Sequence, residues 1–229
     1  MDKNKNYQSL KNFAQTQDID LFGVADISAV KKNFHLSEKL LSKFDKAICI
    51  GARLSGVILE EIVEKPTRLY FYHYRMINIL LDQAALKISR YIENEGFSAV
   101  PIPSTQVLDW EKQTAHLSHR RLGYLAGLGW IGRNNLLVNK EFGSQFRLVT
   151  VLTDMPLKTD EPTKESCGSC RLCIVKCPAQ AIKEDSSAFE AKKCYEKLRE
   201  FQKQRQIDQY VCGVCVNVCG SKKKSLKVD

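Results

Sequence analysis

The chain has 229 residues, is 44% hydrophobic and carries a formal net charge of +9. That length admits one compact domain with a smaller one appended, and the apolar share is enough for a core. The longest apolar run near a helical segment, "INILL" at Ile77–Leu81, is far short of the roughly 20 residues of a membrane span. The amino-terminal "MDKNKNYQSLKNF" is polar and has no signal-peptide character, so the nine cysteines predict metal or redox chemistry in a reducing cytoplasm and not disulfides.

In chain order, "YQSLKNFAQTQ" predicts an opening helix. "IDLFGVAD" and "KAICIGAR" predict strands, with helical "LSEKLLSKF" between them. Cys49, inside the second strand, reads as a small core side chain. A long helix is expected from near Pro66 to the glycine of "NEGF", with Leu69, Tyr72, Met76, Ile79, Leu80, Leu86, Ile88 and Ile92 as its apolar face and His73 among core and rim aromatics. "SAVPIP" predicts a strand that its prolines confine to an edge or a strand end. "HLSHRRLGYLAGLG" is spaced as a helix, whereas "NNLLVN" and "QFRLVTVLT" read as extended. The fold class is therefore α/β (α+β). The polar stretch Lys158–Ser166 marks the division into an α/β domain, residues 1–160, and a second domain, residues 161–229.

"AGLGWIGRNN" holds Gly127, Gly129 and Gly132 in the G-x-G-x-x-G spacing of a dinucleotide turn. The context is reversed: a helix leads in and strands follow, and Glu141 comes too early to be the ribose contact, so the loop is not read as a Rossmann fingerprint.

Eight cysteines crowd into the last third. "CGSCRLCIVKCP" spaces Cys167, Cys170, Cys173 and Cys177 as in bacterial ferredoxins, in which the fourth cysteine serves the other [4Fe–4S] cluster. "CGVCVNVCG" repeats the pattern at Cys212, Cys215 and Cys219 without its first member, and Cys194 is the candidate to replace it. The expected ligands are Cys167, Cys170, Cys173 and Cys219 for one cluster, and Cys177, Cys194, Cys212 and Cys215 for the other; structural zinc is the competing reading. Two clusters with eight thiolates would bring the charge to about +5, leaving the moderate basic balance concentrated in Ser221–Lys227, read as a solvated tail.

The order of "LAGLGWIGRNNLLV", "GSQFRLVTVLTDMPL", "CGSCRLCIVKCPAQAI" and "CGVCVNVC" resembles epoxyqueuosine reductases, the cobalamin-dependent iron–sulfur enzymes of queuosine tRNA maturation, and more distantly the reductive dehalogenases. The resemblance implies a nitroreductase-like cobalamin-binding domain followed by a ferredoxin-like domain with two [4Fe–4S] clusters, which passes electrons from a low-potential donor to cobalt. Under it Gly127, Gly129 and Gly132 let backbone approach the corrin, Trp130 and Ile131 pack on it, and Arg133, Asn134 and Asn135 face its amides; a turn that packs helix on sheet is the other reading of these glycines. No D-x-H-x-x-G motif surrounds any of the four histidines, so a histidine ligand of that kind to cobalt is not expected.

Two departures qualify what the resemblance implies. The family continues into a tRNA-gripping helical-repeat domain, so a small or nucleoside-like substrate is expected here, with tRNA only through a partner subunit. The family's proton-donating Asp aligns with Gln113, which leaves Asp109, His116 and His119 as candidate acids; His119 is preferred for its nearness to the glycines, and both histidines are expected on one helix face. An electron-transfer or corrinoid-activating protein without its own substrate is the alternative function.

Overall fold

The computed structural model describes residues 2–105, 107–109, 111–205 and 207–220, so the basic tail Ser221–Lys227 lies outside the described residues. Helix α1 (Lys3–Gln15) starts where the Asp2 carboxylate accepts from the Asn4 and Lys5 amides, and it buries Leu10 and Ala14. Strand β1 (Leu21–Asp26), short helix α2 (Glu38–Leu41) and strand β2 (Lys46–Arg53) follow as expected. After α3 (Gly56–Glu60) comes the long helix α4 (Arg68–Asn94), then β3 (Ala99–Ile102) and α5 (His119–Leu125). Short strands β4 (Trp130–Ile131) and β5 (Leu137–Val138) precede the long β6 (Phe146–Thr153). The last part holds α6 (Leu172–Lys176), α7 (Ala191–Lys203) and α8 (Val214–Asn217). Among the described residues no helix is long and apolar enough to cross a membrane.

By packing, the chain forms two compact units. The first takes the residues up to Ala52, Asn78–Leu128 and Arg147–Thr163; the second takes Arg53–Ile77, Gly129–Phe146 and the residues from Lys164 onward. The expected division after residue 160 thus lies close to the last of several passages of the chain between units.

The first unit is built on a sheet of order β1-β2-β6-β3. β2 and β6 are buried along nearly their whole length, which is why their sequences are continuous apolar runs and not alternating ones. β1 pairs antiparallel to β2, and β3 to β6 with Pro101 opposite Val151. β3 is the edge strand its prolines predict, since proline cannot donate to a second neighbour. The polar stretch after β6 is anchored here: the Asp160 carboxylate accepts from the Val24 amide at 2.9 Å and from the Tyr7 hydroxyl at 2.9 Å.

The expected apolar face of α4 is only partly buried. Leu81, Ala84, Ala85, Ile88 and Ile92 are in the core, whereas Leu69, Tyr72, Ile79 and Leu86 are exposed. The apolar residues of this helix form two stripes, and the buried one carries the small residues Ala84, Ala85 and Ser89 that allow close approach.

The second unit has its own core: Leu54, Leu59, Ile62 and Tyr70 pack with Ile207, Val211 and Val214. The cysteine-bearing segment is poor in large apolar side chains, and the earlier segment Arg53–Ile77 supplies them. In the same segment the expected rim residue His73 accepts from the Ser55 amide through Nε2 at 2.8 Å. Helices α6 and α8 pack on each other, and this contact organises the candidate site.

Candidate iron–sulfur centre

Cys173 lies within α6, with Cys177 at its carboxyl end, and Cys215 lies within α8, with Cys219 two residues beyond it. Because the two short helices pack together, the last cysteine of each run is carried toward the start of the other. The electrostatics of the thiols show the result. Burial pushes Cys173 up to about 12, and its neighbours Cys219, Cys167 and Cys170 push the same way. Burial also raises Cys219, against hydrogen bonds from Ser144, with Cys167 and Cys170 adding to the rise.

The second group is similar. Burial raises Cys194 to about 11, with Cys177 beside it. It raises Cys212 to about 12, partly offset by the Val214 amide and reinforced by Cys194 and Cys177. Cys215 is raised by burial and then by Cys212, Cys194, Cys173 and Cys177. The eight thiols therefore gather as Cys167, Cys170, Cys173, Cys219 and as Cys177, Cys194, Cys212, Cys215, with Cys215 also near Cys173. Cys49 stands apart in the buried β2, its thiol pushed up to about 12 by burial, as its reading as a core side chain requires.

Among the described residues no three Cys, His, Asp or Glu side chains converge on a single-ion site. One zinc draws its thiolates to about 2.3 Å, whereas a cubane offers four irons, each taking one thiolate, and its ligands stand further apart. Four thiols in each group, Cys173 buried and the others partly buried, with no acidic residue among the neighbours named above, are a donor set that fits a [4Fe–4S] core, whose positive charge would offset what desolvation costs the thiolates.

The glycine-rich stretch is a hairpin. β4 and β5 pair antiparallel, Trp130 opposite Val138, and the Gly132 amide donates to Leu136 while the Asn135 amide donates to Gly132. Asn135 sits at φ 58°, the left-handed residue that closes a three-residue hairpin loop. A Cβ at Gly129 would stand 2.0 Å from the Val138 carbonyl oxygen, and one at Gly127 2.7 Å from that of Glu161. The space that Gly127 and Gly129 leave is filled by the chain's own backbone.

The expected corrin-facing side chains are bonded inward as well. The Arg133 guanidinium donates to the Gly168 and Cys170 carbonyls at 2.9 and 3.0 Å, and its Nε lies 3.3 Å from Glu184, which also pairs with Arg171 at 2.6 Å. Asn134 donates to Ser144 and accepts from the Leu136 amide. Trp130 is 5% exposed and donates through Nε1 to the Cys167 sulfur at 3.3 Å. Ile131 is half-buried in β4. The bonding of this hairpin is thus directed at the Cys167–Cys170 loop, and as a cradle for cobalamin Arg133 and Asn134 do not fit.

The candidate acids lie in the first unit. His119 opens α5, and His116 precedes that helix, so the two do not share a helix face. The His119 Nε2 donates to the Pro103 carbonyl at 2.8 Å, which makes Nδ1 the acceptor for the Thr150 hydroxyl, also at 2.8 Å. Burial, the largest cause, pulls its pKa down to about 4; the Arg147 charge acts the same way, while the Pro103 hydrogen bond and Asp82 oppose it. In this setting His119 is a neutral strut between β6 and the end of β3, not a proton source at neutral pH.

His116 donates through Nδ1 to the His35 carbonyl at 2.9 Å, leaving Nε2 outside that tether. With His119, Arg147, Pro103 and Leu117 it lines an open cavity of about 180 Å³, room for a ring-sized group. Asp109 accepts from the Glu111 and Lys112 amides and closes its own surface turn. Gln113 follows at φ 52°.

Comparison with known proteins agrees with the cysteine reading. A family described as "4Fe-4S double cluster binding domain" matches residues 166–222. The chain is 28% identical over 250 residues to the epoxyqueuosine reductase of Cyclobacterium marinum, an alignment covering 94% of this chain and 78% of that protein. It is 42% identical to the Escherichia coli epoxyqueuosine reductase over 81 residues, 35% of this chain and 21% of that one. Among solved structures, a catabolic reductive dehalogenase in complex with 3-bromo-4-hydroxybenzoic acid superposes with a TM-score of 0.77 at 17% identity, over 99% of this chain and 33% of that one. An epoxyqueuosine reductase superposes with a TM-score of 0.66 at 18% identity, over 97% of this chain and 67% of that one. The chain therefore spans about a third of the dehalogenase and a fifth to four-fifths of the two curated reductases.

Proposed function

We propose that this chain, an epoxyqueuosine reductase-like protein in sequence and fold, is an iron–sulfur reductase in which two [4Fe–4S] clusters relay single electrons to a bound cobalamin that reduces a small or nucleoside-like substrate. The observation that carries the reading is the grouping of the eight thiols into two crossed sets of four within the double-cluster region. Cys167, Cys170, Cys173 and Cys219 would hold one cluster, and Cys177, Cys194, Cys212 and Cys215 the other. Crossed ligation makes the clusters neighbours, which suits electron relay. A low-potential donor would load them in a reducing cytoplasm.

Cobalamin, when bound, supplies a strongly reducing metal centre. Its place in this reading rests on kinship and not on the Gly127–Asn135 hairpin, where Trp130, Arg133 and Asn134 bond within the protein. The chain's own contribution on the substrate side is a proton. Of the three candidate acids His116 is favoured, because it lines the cavity and keeps Nε2 outside its tether, while both ring nitrogens of His119 are tied and burial keeps that ring neutral.

The inward bonding of the hairpin favours a second reading, an electron-transfer or corrinoid-activating protein with no substrate of its own. Adding cobalamin to the anaerobically purified chain separates the two. A corrin spectrum that stays with the protein through gel filtration and changes on reduction supports the reductase; clusters that reduce with no retained corrin support the second reading. Efficient reduction of epoxyqueuosine in a tRNA stem loop by this chain alone would assign it the reaction of its relatives.

A further inference from the structure

We propose that the glycine-rich β4–β5 hairpin seats and tunes one iron–sulfur cluster, and that Trp130 sets the potential of that cluster by donating its indole N–H to the Cys167 sulfur. The inference rests on the reading of Cys167 as a cluster ligand.

Three contacts on one turn converge on the Cys167–Cys170 loop. The Trp130 Nε1 lies 3.3 Å from the Cys167 sulfur, and an indole N–H can only donate. Arg133 holds the Gly168 and Cys170 carbonyls with two donors of one guanidinium, so the loop between the two cysteines is pinned on both sides. A Cβ at Gly132 would stand 2.5 Å from the Val138 side chain and 2.9 Å from the Asn134 side-chain oxygen, so the last glycine of the motif lets the hairpin close, and it leaves the Cys167 sulfur 3.5 Å from that position, at ordinary contact distance. The hydrogen bonds of Gly132 to Leu136 and of Asn135 to Gly132 fix the turn that aims all three.

The chemistry follows from charge. When a [4Fe–4S]²⁺ core takes one electron no bond breaks, and part of the added charge falls on the thiolate sulfurs. An N–H directed at one of them stabilises the reduced form more than the oxidised form. Trp130 is 5% exposed, so little water screens the interaction. Removing the N–H while keeping an aromatic ring should make the potential of that cluster more negative and leave the other unchanged. A residue that merely packs would change stability and move neither potential.

The test uses the full chain, purified anaerobically with both clusters. In Trp130→Phe, redox titration followed by electron paramagnetic resonance should show one midpoint shifted to a more negative value and the other unmoved. A second measurement needs no change at Trp130: in a Trp110→Phe protein labelled with ¹⁵N-indole tryptophan, the remaining indole nitrogen should show hyperfine coupling to one reduced cluster. Eight irons per chain with both potentials unmoved in Trp130→Phe, or no ¹⁵N coupling in the labelled protein, overturns this inference alone. A wild-type chain without iron overturns the reading of the cysteines as well.

Discussion

The side-chain amide of Asn217 donates to the carbonyl of Ile62 at 2.7 Å, joining residues 155 positions apart in a buried contact. Asn217 stands between Cys215 and Cys219, and Ile62 belongs to the apolar cluster completed by Val211 and Val214. The Asn217 carbonyl in turn accepts from the Gln145 side chain at 2.8 Å. The second cysteine run is thus held by residues far earlier in the chain, and the cluster region is not an autonomous appendage. Asn217→Ala leaves the Ile62 carbonyl buried without this donor, and is expected to lower unfolding free energy by about 1–3 kcal/mol. Anaerobic denaturant titration of the cluster-loaded protein measures it, and a midpoint equal to wild type would contradict the role given to this contact.

Gly143 lies at φ 61°, and a Cβ there would stand 1.8 Å from the Cys219 carbonyl oxygen. The neighbouring Ser144 amide donates to that carbonyl at 2.9 Å. Gly143→Ala is therefore expected to displace Cys219 and to lower the iron content by up to half, with loss of the signal of one reduced cluster. Gly56→Ala, where no heavy atom stands within 4 Å of the added carbon, is the control and should keep its full iron.

His119 gives a pH dependence of defined sign. Unfolded it takes up a proton near pH 6.5, and folded only near 4, because burial beside Arg147 outweighs the Pro103 hydrogen bond and Asp82. Between those values the unfolded chain holds the extra proton, so stability falls as pH is lowered from about 6.5 toward about 4, and the residue adds no pH dependence above that window. The full difference corresponds to about 3 kcal/mol. His119→Gln should flatten this part of the acid profile; an unchanged slope would mean that other groups carry it. If His116 is the proton donor as proposed, His119→Gln should keep turnover near neutral pH and His116→Gln should lose it.

The legible parts of this protein are those whose cause is local. The central strands read directly because β2 and β6 are buried end to end, and Pro101 announced the edge position of β3. The neighbourhoods of the cysteines follow their spacing, because α6 and α8, which carry the two runs, pack on each other. The hairpin's contacts are not legible in the sequence, because what fills the space beside a glycine is set by partners the local sequence does not name, here Glu161 for Gly127 and Val138 for Gly129. The hairpin's own signal was present: R-N-N between two apolar pairs is a three-residue turn with an asparagine suited to the left-handed position. Arg133 and His119 looked available because their partners, Gly168 and Cys170 in one case and Pro103 and Thr150 in the other, are set by the fold. The same holds for Arg53–Ile77, whose apolar residues gave no sign that they would complete the core beneath the cysteines.

The crossed ligation is tested most directly by iron and acid-labile sulfide analysis with electron paramagnetic resonance of the reduced chain, applied to wild type and to Cys219→Ala, Cys170→Ala and Cys212→Ala. The wild type should hold about eight irons and eight sulfides, as two cubanes require. Cys219→Ala should lose the same signal as Cys170→Ala, 49 positions earlier in the sequence, and keep the one lost in Cys212→Ala. Loss in Cys219→Ala of the signal that Cys212→Ala loses, or a wild type containing zinc in place of iron, would contradict the account.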